Sequence, residues 1–258
     1  VRVVSLVPSI TETLFALGLD GEEVVGRTAW CVAPAPAVER VRIVGGTKTP
    51  SVRSIVGLRP DVVVLEREEN RRETFEELEA AGVRALPVHV TRVADVPGVL
   101  EVLGDAVGHA AAGRELAERV RAALRRAAEA AVRLGPGPVA VPLIWREPLM
   151  SIGPGRYGAD LLASVGFRVP GFPSATGYPE VTPAAIGAAG ADLLLLSSEP
   201  HDFTPDEGRE AADAVAGAGF PRPHPLKVDG RALTWFGART AAGLDWWVAL
   251  RERLAVAG

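Results

Sequence analysis

The stretch LTWFGART, residues 233–240, sets Trp235 and Phe236 side by side ahead of a glycine and Arg239. Paired aromatics among turn residues offer flat, polarizable faces that stack on a flat ligand, or else they anchor a loop. Trp30, in TAWCVAP (28–34), supplies another such face. Cys31 beside it either touches a metal-bearing ligand through its thiolate or fills a small buried space. Glu66, Glu68 and Glu69, in EREENRR (66–72), put three carboxylates into one short loop. There they accept hydrogen bonds, ligate a metal centre, or stand as solvated surface. WREPLMSIGPGRY (145–157) adds Trp145, Arg146 and Tyr157 as wall contacts.

Several other chemistries find little footing. Gly153, Gly155 and Gly158 match G-x-G-x-x-G, but Pro154 interrupts the turn and the preceding strand ends about eight residues earlier, which argues against a dinucleotide site. The histidines at 89, 109, 201 and 224 lack metal-ligand spacing, so no metal site is expected from them. A nucleophilic triad, a G-x-S-x-G elbow and a phosphate loop are all absent from the sequence, which points away from catalysis. No cofactor is expected.

Those loops need elements to position them. The chain has 258 residues, 48% hydrophobic and 23% charged, enough to bury a sizeable core. Its net charge of −4 and its scattered arginines exclude a nucleic-acid face. One cysteine excludes an internal disulfide. Neither a membrane-spanning run nor a signal peptide is visible. Val1 is not a natural initiator, which leaves two expectations: an extracytoplasmic place after removal of an export signal, or a cytoplasmic one.

Short apolar runs at 2–7, 61–65, 83–88, 139–144, 192–196 and 224–228, and a further strand at 24–27, alternate with helical patterns. That alternation predicts parallel α/β sheets covered on both faces. Pro8 and the Ser9/Glu12 capping-box spacing predict a helix start, and Gly18 its end. From about Asp105 to Leu134 there is no strand and no proline, only a helical stripe of Leu116, Val120, Ala123, Ala127 and Ala131. It predicts one long helix, ended by GPGP (135–138).

An internal repeat supports a division into two. SVRSIVGLRPDVVVLEREE (51–69) overlays without gaps on TPAAIGAAGADLLLLSSEP (182–200), pairing Asp61 with Asp192 and Glu68 with Glu199. PSITETLFALG (8–18) resembles RYGADLLASVG (156–166) in the same order. The expected domains are an α/β lobe over 1–104, a linking helix over 105–137 and a second α/β lobe over 138–258; a single continuous α/β domain is the other arrangement. Ligands of parallel sheets sit outside the strands' carboxyl ends, so the expectation is an interlobe cleft in which Trp30 and the Trp235–Phe236 pair sandwich a flat ligand.

Taken in order, RVVSLVPSITETLFALGL, GRTAWCVAP, VGGTK, LRPDVVVLEREENRRE and LTWFGAR resemble the helical-backbone substrate-binding proteins of ABC importers, nearest to the cobalamin-binding branch. Siderophore- and haem-binding receptors are further away. The resemblance covers nearly the whole chain. It implies a monomeric, non-enzymatic receptor that holds a corrinoid, or else a ferric siderophore or haem, against Trp30, Trp235 and Phe236. Where those receptors place a tryptophan after the third strand, this chain has Glu66, so Glu66, Glu69 and Arg239 would make that wall polar. The resemblance also implies exposed glutamates that dock the membrane permease, with Glu73 for the first lobe and Glu180 for the second. The competing classes are a two-lobed tetrapyrrole chelatase and a cytoplasmic ligand carrier of the same fold.

Overall fold

The computed structural model describes residues 1–174 and 176–257. Its first half runs β1 (Val3–Ser5), α1 (Pro8–Ala16), β2 (Val24–Arg27), α2 (Val52–Gly57), β3 (Val62–Glu66), α3 (Arg72–Ala80), β4 (Ala85–Val88), α4 (Val96–Ala106) and α5 (Ala110–Leu134). Its second half runs β5 (Ala140–Trp145), β6 (Met150–Ser151), α6 (Tyr157–Ser164), α7 (Pro183–Ala188), β7 (Leu193–Ser197), α8 (Pro205–Gly217), β8 (His224–Val228), α9 (Gly230–Thr234) and α10 (Thr240–Ala257). The fold is α/β, with two four-stranded sheets ordered β2-β1-β3-β4 and β6-β5-β7-β8. All pairings are parallel except the short edge strand β6, which is antiparallel to β5 and gives no periodic signal in two residues.

The chain divides into two units. The first comprises Val1–Val90, Asp95–Arg121 and Phe236–Arg239; the second comprises Thr91–Ala94, Ala122–Trp235 and Thr240–Gly258. The boundary thus falls inside α5, and Phe236–Arg239 groups with the first unit although it lies late in the chain. The long helix expected from about Asp105 to Leu134 begins later, at Ala110, and ends where expected. Gly108, at φ +80°, separates α4 from α5, and α5 stops at Leu134.

In each unit the central strands are runs of valine or leucine, buried on both faces as parallel strands require. Val4, Leu6, Val63 and Leu65 meet Ile55 of α2 and Leu78 of α3 in the first core. Val141, Leu143, Leu194 and Leu196 meet Ile186 of α7 and Val215 of α8 in the second. Each such side chain contributes about 1.5–3 kcal/mol when fully buried.

The repeat persists down to single hydrogen bonds. α2 and α7, then β3 and β7, begin and end at residues paired by the sequence overlay. Ser51 caps α2 by accepting from Ser54 N at 3.2 Å, and Thr182 caps α7 by accepting from Ala185 N at 3.2 Å. Asp61 Oδ2 accepts from Arg2 N at 2.7 Å ahead of β1, and Asp192 Oδ2 accepts from Val139 N at 2.7 Å ahead of β5. After the strand, Glu66 Oε2 accepts from Glu68 N, and Ser197 Oγ from Glu199 N. The capping box expected at Ser9 and Glu12 is not formed. Val7 is the N-cap without a side-chain bond, Pro8 takes the first turn, and Gly18 (φ +102°) follows the helix's end as expected.

Candidate functional site

The loop after β2 presents Trp30. Thr28 O accepts from Cys31 N at 3.2 Å, Gly45 O from Ala29 N at 2.9 Å, and the buried Arg27 guanidinium donates to Val38 O and Thr28 O. This turn is tied from both sides, yet the indole it carries is 68% exposed. Cys31 points the other way and is fully buried, its Sγ 3.1 Å from Thr28 Oγ1. Burial pushes the thiol's pKa up, opposed by hydrogen bonds from Thr11 and Thr28 and by the charge of Arg27. Of the two roles weighed for Cys31, the buried filler is the one this geometry provides, and a thiolate contact to ligand is not.

The loop after β3 is organised around two buried side chains. Glu66 is 3% exposed. Its Oε2 accepts from Glu68 N (2.6 Å) and Glu69 N (2.9 Å), while Oε1 lies 3.2 Å from His89 Nδ1, which donates in the tautomer protonated there. Asn70 Oδ1 accepts from Glu66 N at 2.9 Å, and its amide donates to Leu6 O and Thr47 O. The Lys48 ammonium closes the loop by donating to Glu68 O. Glu66 therefore shapes its own loop instead of facing a ligand, which corrects the expectation of a polar wall from that residue. Glu69 is exposed at the loop surface. Its carboxyl is nevertheless held above the ordinary range, first by crowding that removes water, with Lys48 opposing and Glu66 and Glu68 adding. Among the described residues no three His, Cys, Asp or Glu side chains gather as a metal site.

In the second unit Trp145 ends β5, 43% exposed, its Nε1 donating to Glu147 O at 3.1 Å and its ring meeting His201 edge-on at 6.2 Å. Arg146 is committed to α8, donating to Glu207 (2.6 Å) and Glu210 (2.9 Å). Glu207 also completes the capping box with Thr204, and its carboxyl is lowered to about 2, chiefly by the Thr204 backbone N–H and then by Arg146. Tyr157 is buried, with its hydroxyl 3.0 Å from Thr240 Oγ1 and its pKa pushed up by burial. Expected as a wall contact, it is a core residue at the start of α6.

The opening pair is also covered: Trp235 is 8% and Phe236 7% exposed. The segment is not loop throughout, because its first two residues, Leu233 and Thr234, end α9. Arg231 of α9 lies over the Trp235 ring at 4.9 Å and donates through Nε to Glu199 at 3.2 Å. The Glu199 carboxyl, raised chiefly by burial, is held down by hydrogen bonds from Arg231 and the Trp235 side chain. Gly230 permits this approach, since a Cβ there would meet Ser197 Oγ at 2.5 Å and Glu199 Cγ at 2.6 Å. Glu199, Arg231 and His201 were not among the expected site residues. In the sequence Glu199 stands out only as the repeat partner of Glu68. Lys227 at β8 donates its ammonium to Phe203 O and Asp202, holding the loop after β7.

Within the first unit, Arg239 makes a two-pronged ion pair with Glu12 of α1, Nε to Oε2 at 2.9 Å. Ala238 N donates to Thr13 Oγ1 at 3.1 Å. Gly237, at φ +108°, passes so close that a Cβ would lie 2.2 Å from Thr13 Oγ1. Arg239, expected on the ligand's polar side, is a fastener of this segment to α1. Glu73 stands exposed in the first turn of α3, 3.5 Å from Arg71 Nε, and Glu180 is exposed beside β6, bridged to Met150. Among the described residues no helix is long and apolar enough to cross a membrane.

The family profile described as "Periplasmic binding protein" matches residues 3–214. A vitamin B12-binding protein of Pectobacterium carotovorum subsp. carotovorum (strain PC1) is 28% identical over 102 residues, 40% of this chain and 36% of that protein. The chain thus aligns with little more than a third of that relative's length. Among solved structures, the apo form of the periplasmic heme-binding protein RhuT from Roseiflexus sp. RS-1 superposes with a TM-score of 0.76 at 25% identity, covering 97% of this chain and 98% of that one. The periplasmic vitamin B12-binding protein BtuF of Vibrio cholerae gives a TM-score of 0.81 at 18% identity, covering 98% and 97%, a likeness of fold. The profile spans most of the sequence, and the two-sheet architecture agrees with it: the chain belongs to the periplasmic binding protein family.

Proposed function

We propose that this chain is the substrate-binding component of an ABC-type importer, capturing a metal chelate and delivering it to a membrane permease. The ligand class we favour is a corrinoid first, with haem or a ferric siderophore second. The observation that carries this reading is Trp30, a tryptophan 68% exposed on a turn pinned by backbone and guanidinium hydrogen bonds. An indole left open on a backbone already fixed lowers the ordering cost when a flat apolar partner stacks on it. Trp145, at the carboxyl end of β5, is the second open aromatic; Arg146 follows it, and Glu69 lies on the loop at the carboxyl end of β3. The names carried by the similar proteins, vitamin B12 and heme, support a tetrapyrrole-sized ligand. Glu73 and Glu180, both exposed, are the proposed contacts to the permease. The protein acts in this reading as a monomer outside the cytoplasm, without a cofactor.

The test is a titration of the protein with cobalamin, cobinamide, haem and ferric siderophores, read by tryptophan fluorescence and by ligand absorbance. Saturable one-to-one binding of one class without chemical change supports the receptor. Metal insertion into a metal-free tetrapyrrole would replace it with a chelatase, and tight binding of a sugar or amino acid alone would refute the ligand class.

A further inference from the structure

Unit one carries a recess of about 470 Å³ at the open edge of its sheet, away from the Trp30 turn in sequence and not used by the proposed function. Its floor is apolar. Leu65 of β3 and Pro87 of the edge strand β4 are register partners, so they project from the same face of the sheet, and Phe75 of α3 adds an aromatic wall. Its rim is cationic, with Arg67, Arg71 and Arg72 contributed by six consecutive residues. Arg71 is the N-cap of α3 and adds no side-chain cap, so the positive end of this nine-residue helix lies at the same rim.

The carboxylates nearby offset part of the rim's charge but engage Arg71 and Arg72 only through Nε, which leaves the outer guanidinium edges to a ligand. Glu66 and Asn70 border the recess, but their polar atoms are consumed in the loop and by His89. Arg72 pairs with Glu76 through Nε at 2.8 Å and Arg71 with Glu73 through Nε at 3.5 Å, both on exposed side chains. Such exposed pairs are readily exchanged for a better-placed anion. Among the described residues Arg67 has no ion-pair partner.

From this arrangement we infer a second binding site, specific for a small amphipathic anion: a carboxylate or phosphate on an apolar or aromatic body. The body rests on Phe75 and Pro87, above the buried Leu65, and the anionic head takes the guanidinium edges of the three arginines. Guanidinium is suited to this because its planar fork matches both oxyanions. The volume suits a ligand of modest size. The site goes beyond the proposed transport function and does not depend on it.

The experiment uses the full chain, isotope-labelled, with the amides of residues 65–75 followed by NMR. Phenyl phosphate, inorganic phosphate and benzyl alcohol are titrated separately. Phenyl phosphate is expected to saturate these amides, with inorganic phosphate and benzyl alcohol each at least about fivefold weaker, because head and body bind together. Arg67→Ala and Arg72→Ala, both at exposed positions, should each weaken phenyl phosphate by about fivefold or more while leaving the rest of the spectrum in place. Absence of saturation, binding of inorganic phosphate as tight as that of phenyl phosphate, or unchanged affinity in both variants would each overturn the site.

Discussion

Replacing Trp30 with alanine is the most direct test of the proposed ligand face, because the structure lets its effects on binding and on folding be separated. A tryptophan side chain offers about 150–250 Å². At Trp30 68% of the residue is open. A flat ligand on one face would cover about half of the open part, roughly 70 Å², worth about 1.5–2 kcal/mol at about 25 cal/mol per Å². The affinity should therefore fall roughly 10- to 30-fold. Folding should change by less than about 0.5 kcal/mol, since little of that indole is buried in the free protein. The control is Trp247, fully buried, its Nε1 donating to Ala232 O at 3.0 Å and its ring edge-on to Phe167 at 5.8 Å. Trp247→Ala should cost about 3–5 kcal/mol of stability. Affinity is measured by absorbance titration with the ligand found in the screen, and stability by urea unfolding. If Trp30→Ala binds that ligand as tightly as the parent does, the stacking argument fails, and the exposed indole must serve another partner.

Gly237→Ala should destabilise the first unit by about 2–4 kcal/mol, combining left-handed backbone strain with the clash at Thr13 Oγ1. A Thr13→Ala background should shrink that penalty in urea melts, and equal penalties in both backgrounds would disprove the contact. Glu207, lowered from 4.5 to about 2, contributes stability that is complete above about pH 4.5 and is lost as the pH falls from there through about 2. Glu207→Gln should flatten the pH dependence of unfolding in that window, and an unaltered slope would count against the Thr204 and Arg146 bonds. The Cys31 thiol, buried and raised in pKa, should resist iodoacetamide near neutral pH and react promptly only in denaturant. Stoichiometric alkylation of the native protein within minutes would contradict its burial.

What the sequence disclosed was what repeats or alternates. The short apolar runs located seven of the eight strands among the described residues, and the gapless overlay of 51–69 on 182–200 anticipated paired helices and strands and matched Asp61 with Asp192, which make equivalent bonds. Signals of that kind are local, so they survive without knowledge of tertiary contacts. What it concealed depends on partners distant in the chain. Trp235 was legible as an aromatic at a strand-end loop, but its burial is tied to Arg231 and Glu199, the latter 36 residues away by numbering. Arg239 was legible as a charge, but its partner Glu12 lies at the opposite end of the chain. The Ser9/Glu12 spacing suggested a capping box, but the helix starts one residue earlier at Pro8 with Val7 as N-cap, which puts Ser9 inside the first turn, and Glu12 is held by Arg239.

Lys48 and Lys227 are the two lysines of the chain, and each buckles the loop that follows the central strand of its own unit. Every other basic side chain apart from histidine is an arginine, which mild acylating reagents leave alone. Succinimidyl dyes directed at side-chain amines would therefore have two addresses, one per unit. Acylation strips the ammonium of its charge and of the donors it needs to grip a carbonyl. Attachment of a fluorophore would thus also unfasten the loop beside Glu66 or the one beside Glu199. For conjugation chemistry this makes the lysines poor handles for immobilising the protein intact, and arginine at both positions a sensible exchange before any amine coupling.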